Sequence, residues 1–137
     1  MKAIALDLAA LGDVEPLWRD WLDDAGRRFR IDTSALDAQL PNWPQLLERF
    51  AEERAPVYFR RDAEVTAALR RLHAAGARIG VFTERPEPLT RVALSHLGAD
   101  GRVDVVETGA GSRERVLAAL GEEAALVETR AELVALR

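Results

Sequence analysis

The chain has 137 residues, of which 48% are hydrophobic and 31% charged, with a net charge of −4. These values predict a single globular domain long enough to bury a core. The acidic balance leaves no basic surplus for a nucleic-acid or anionic-membrane partner, and the absence of cysteine excludes disulfides, thiolate catalysis and cysteine metal sites.

Ala3-Ile4-Ala5-Leu6 is an apolar run long enough for a buried strand, and it ends at Asp7. A carboxylate at the carboxyl end of a buried α/β strand stands where ligands bind, and an aspartate there is a candidate nucleophile. The opening lacks the long apolar core of a signal peptide. No stretch approaches the roughly 18 apolar residues of a membrane helix, so the expected location is cytoplasmic. Lys2 is the only lysine.

After Asp13 the period turns helical. Leu17, Trp18, Trp21, Leu22, Ala25 and Phe29 form the stripe of an amphipathic helix, with Pro16 suited to its first turn. Asp32-Thr33-Ser34 offers a cap for a short helix, and Trp43, Leu46, Leu47, Phe50 and Ala51 mark another. Residues 56–61 read as a connector. Asp62 then caps a helix with the buried face Val65, Ala68, Leu69, Leu72 and Ala75, closed by Gly76. Residues 77–82 form a strand ending at Thr83. Pro86 opens a helix striped by Leu89, Val92, Ala93, His96 and Leu97. Residues 103–106 form a third strand, 107–111 a loop, and Ser112 caps a helix over 113–120. Residues 124–127 form a fourth strand ending at Glu128, and 131–136 a last helix.

Strands alternating with helices imply a parallel sheet with helices on both faces. The expected fold is a Rossmann-like α/β domain with a four-stranded, mostly parallel sheet. Residues 1–12 and 62–137 form its core, and residues 13–61 a reduced helical cap insert over the strand ends. The first strand lies centrally, between the second and the fourth.

Asp7, Thr83 and Glu128 then share one edge of the sheet, with Arg113 at the start of the nearby helix. This set, together with the helix–glycine–strand–threonine segment of residues 62–98, resembles the haloacid dehalogenase (HAD)-like hydrolase superfamily, mostly phosphatases. The resemblance covers nearly the whole chain. It implies that Asp7 is the nucleophile, that Thr83 and Arg113 bind the phosphoryl group (Arg115 being the alternative to Arg113), and that Asp7, Glu128 and Glu132 hold magnesium. The sequence departs from that pattern in three places. Ala9 stands where the family has its leaving-group acid, Ala10 where it has glycine, and Val127-Glu128 where it has glycine and aspartate. The phosphonate-cleaving branch also carries that alanine, but it uses a cap lysine, and residues 13–61 have none.

The resemblance and its departures together imply a degenerate HAD-like protein. Its phosphatase activity is lost or very weak, and it acts by ligand binding or protein assembly. The alternative is a magnesium-dependent phosphomonoester hydrolase using Asp7. The expected partners are a small phosphorylated molecule, or a second copy or another protein meeting the tryptophan-bearing insert.

Overall fold

The computed structural model describes residues 3–136. Met1 and Lys2 at the start of the expected core, and Arg137 at its end, lie outside the described residues. The strands β1 (Ala3–Asp7), β2 (Arg78–Thr83), β3 (Val105–Thr108) and β4 (Ala125–Val127) form one sheet in the order β3-β2-β1-β4. Every pairing is parallel. The architecture is α/β and Rossmann-like, with β1 between β2 and β4.

Ile4, Ala5 and Leu6 are fully buried. Alternation along the strand sends Ile4 and Leu6 to one face and Ala5 to the other. The first face, extended by Ile79 and Val81, packs under α4 (Ala63–Ala74), α5 (Glu87–His96) and α7 (Arg130–Ala135). The second, with Ala5 and Phe82, meets α6 (Ser112–Leu120) through Val116, Leu117 and Leu120. Gly80 permits that close approach, because a Cβ there would stand 2.6 Å from Val116 Cγ1.

Residues 13–61 contain α1 (Glu15–Phe29), α2 (Leu36–Gln39) and α3 (Trp43–Tyr58). α3 packs along α5, and Leu17, Trp21, Ala25, Leu47, Ala51 and Ala55 belong to the same apolar cluster as the sheet. Trp18 stacks on the buried Trp21 at 5.7 Å between ring centroids, and Trp43 tilts against Trp21 at 6.1 Å. The tryptophans thus fill the interior of the insert. The Tyr58 hydroxyl donates to Asp20, joining α3 to α1, and this bond raises the Tyr58 pKa.

Three local expectations are corrected. α3 runs through Pro56 to Tyr58, where a connector was expected. The missing proline N–H removes one bond near the end of the helix, while the buried Ala55 and Phe59 hold that turn and the Phe59 N–H donates to the Ala55 carbonyl at 2.8 Å. β3 begins at Val105 and includes Glu107 and Thr108, because the Asp104 carboxylate accepts from the Ile79 N–H at 2.8 Å before the regular ladder starts. Ser112 is the first residue of α6, not its cap; Gly111 occupies that position with φ 76°.

The Asp62 cap forms as expected, accepting from the N–H groups of Glu64 and Val65. Its carboxylate also accepts from Arg130 Nε at 2.6 Å, which joins α4 to α7. The Arg130 bond, followed by the cap bonds, holds the Asp62 carboxyl well below the usual carboxylate range, at about 2. A depressed folded-state pKa stabilises the fold above the ordinary value near 4, and that contribution is lost as pH falls through about 2.

Two outcomes follow from this packing. Gly80→Val should cost about 1–3 kcal/mol in urea unfolding, the range for overfilling a packed core, and unchanged stability would contradict the close approach of α6. In carbon-detected NMR titration, Arg130→Ala should move the Asp62 midpoint upward toward the usual range. An unmoved midpoint would mean that the cap alone sets it.

Candidate functional site

Strands that run parallel deliver their carboxyl ends to one edge, and here that edge opens into a crevice of about 460 Å³. Asp7 from β1, Thr83 from β2, Arg113 from the start of α6 and Glu128 after β4 all line it. Glu15, Glu84, Arg85, Ser112 and Glu114 complete most of the polar wall. Four of the five site residues expected from the sequence are therefore brought together. Among the lining residues, only Glu15 comes from the insert, so residues 13–61 flank the crevice through the first turn of α1.

Each side chain is held by local geometry. Asp7 Oδ1 accepts from the Ala9 N–H at 3.0 Å, capping a short 3-10 turn. Thr83 is buried at 8% exposure, and its hydroxyl oxygen accepts from the Arg85 N–H at 3.1 Å. Arg113 has only a loose 3.5 Å contact with its neighbour Glu114. Arg115 is engaged elsewhere: it binds the Glu107 carboxylate at 2.8 Å and the carbonyls of Thr108 and Ala110. It clasps the loop after β3, which leaves Arg113 as the arginine of α6 that lines the crevice.

Glu132 lies outside this set. Thr129 caps α7, with its hydroxyl accepting from the Glu132 N–H at 3.1 Å, and the Glu132 carboxylate bonds that hydroxyl at 3.0 Å. The first bond is an ordinary N-cap, and the second holds the Glu132 carboxylate against the capping hydroxyl. Among the described residues, no three His, Asp or Glu side chains converge as a metal site. Of the three acids that the resemblance assigns to magnesium, Asp7 and Glu128 line the crevice and Glu132 does not.

The sequence reading overlooked Arg85. Its Nε donates to Glu15 Oε1 at 2.8 Å, and its guanidinium lies 5.5 Å from the Trp18 ring centroid. It thereby fixes the start of α1 to the end of β2. The signal was its place two residues after Thr83, where a turn directs its backbone N–H to the threonine hydroxyl. With Arg85 and Arg113 set against Asp7, Glu15, Glu84, Glu114 and Glu128, the lining carries three more negative than positive formal charges.

No family model, curated protein or solved structure matches this chain. Among the described residues, no helix is long and apolar enough to cross a membrane.

The Arg85–Glu15 pair is partly exposed on both sides, and such pairs contribute about 0.2–1 kcal/mol. Arg85→Ala should therefore lower unfolding free energy by no more than about 1–2 kcal/mol, cation–π contact included. A larger loss would show that the pair, rather than apolar packing, holds the insert in place.

Proposed function

We propose that this chain is a degenerate HAD-like protein that binds a small ligand at its strand-end crevice and does not turn over phosphomonoesters. The observation that carries this reading is the commitment of Glu132 to the α7 cap. Of the three acids expected to hold magnesium, Asp7 and Glu128 line the crevice and Glu132 does not. Ala9 adds a second deficit, since it lines the crevice where the leaving-group acid would stand. Loss of a general acid typically lowers rate by about 10²–10⁴.

Ligand binding is favoured over assembly through the tryptophans, because Trp18 and Trp43 both pack against the buried Trp21. The crevice, by contrast, presents opposed charges and buried hydroxyls to solvent.

The test is a phosphomonoester panel with magnesium, run in parallel on the parent chain and Asp7→Asn. Both proteins should stay at the buffer background. Magnesium-dependent turnover that Asp7→Asn abolishes would overturn the proposal and establish the hydrolase alternative, with Asp7 as nucleophile.

A further inference from the structure

Among the described residues β3 pairs with β2 alone, so it forms one edge of the sheet. The Asp104 N–H donates toward β2, to the Ile79 carbonyl at 2.7 Å. Successive residues of a strand turn their backbone groups to opposite sides, so those of Val105 and Glu107 face away from β2. An edge of this kind is a template for a further strand.

A groove of about 520 Å³ lies beside that edge, between β3 and α5. It shares no lining residue with the strand-end crevice. Val105 packs toward α6, so alternation sends Val106 to the α5 side. There Val106 is 41% exposed and lines the groove with Leu94 and Val103. An open strand edge beside an apolar groove is the setting for strand addition, in which backbone bonds hold an extended peptide and pockets take its alternate side chains.

The charge of the groove selects the occupant. Arg91 binds both Glu87 and Glu48, so one guanidinium stands against two carboxylates and the Glu87 end keeps a negative charge. Asp100, toward the other end of α5, accepts from the Gly101 N–H and has no ion pair among the described residues. The Glu107 carboxylate is balanced by Arg115. The groove is therefore apolar in the middle and acidic at both ends. A second copy added antiparallel about a two-fold axis would set the Glu87 end of one groove against the Asp100 end of the other, acid against acid. A basic strand meets no such repulsion.

Length agrees with this reading. From Glu87 to Ser95, both in α5, the helix rises roughly 12 Å, and five residues of extended chain span about 13 Å. We propose that the groove binds an extended segment of another protein, which adds to β3 as a fifth strand. Its central apolar side chain rests on Val106, and a lysine or arginine two residues to either side faces Glu87 and Asp100. This pattern is the same read in either direction, so it holds for parallel and antiparallel addition.

The test is NMR titration of the full chain with three synthetic peptides. The first is acetyl-Ala-Lys-Thr-Val-Thr-Lys-Ala-amide, the second has glutamate for both lysines, and the third is N-methylated at its three central amides. The lysine peptide should bind saturably, shift the Val105 and Glu107 amide signals and slow their exchange. The other two should bind at least about tenfold more weakly, a difference of roughly 1.4 kcal/mol. Val106→Lys and Asp100→Asn, both at exposed positions, should each weaken the lysine peptide, with melting temperatures checked against the parent. Absence of saturable binding, equal binding of the N-methylated or glutamate peptide, or unchanged affinity in both folded variants overturns the proposal. Light scattering that shows a dimer dissolved by Val106→Lys also overturns it, by giving the edge to a second copy.

Discussion

The structure depends on β1 being locked on both sides. It pairs in parallel with β2 through five positions and with β4 through three, and Ile4, Ala5 and Leu6 have no access to solvent. Once that strand is central and its neighbours run the same way, residue identity decides what the edge carries. Asp7, Thr83 and Glu128 are far apart in the chain, but each is the polar residue at or just after its strand's carboxyl end. Their meeting in one crevice follows from topology more than from any direct contact between them.

The same constraint separates frame from chemistry. The frame is satisfied: apolar strands, capped helices, a glycine where α6 presses on β2, and no sealed side-chain polar atom without a partner among the described residues. The crevice is where satisfaction stops. Its wall mixes the arginines Arg85 and Arg113 with the carboxylates of Asp7, Glu15, Glu84, Glu114 and Glu128.

Much of the fold was legible because its signals are local and strong. The parallel sheet followed from alternating periodicities, and the Asp62 cap from one acidic residue before an apolar stripe. What was illegible depended on non-local partners. β3 starts late because Asp104 reaches Ile79 on another strand. The resemblance makes Glu132 a metal ligand; in the structure its carboxylate bonds the Thr129 hydroxyl at the start of α7, a contact that spacing alone does not reveal. Ser112 looked like a cap; Gly111, in the left-handed region, took that role and left the serine hydroxyl free. The tryptophans fall on the apolar stripes of the insert's helices, and they pack on one another there.

The central role of β1 is most directly tested by amide hydrogen exchange, which ranks segments by the free energy needed to open them. The N–H groups of Ile4, Ala5 and Leu6 should exchange among the slowest in the chain, and more slowly than those of the edge strands β3 and β4. Exchange of β1 at edge-strand rates would mean that it is not the locked centre of the sheet, and the convergence of Asp7, Thr83 and Glu128 would lose its basis.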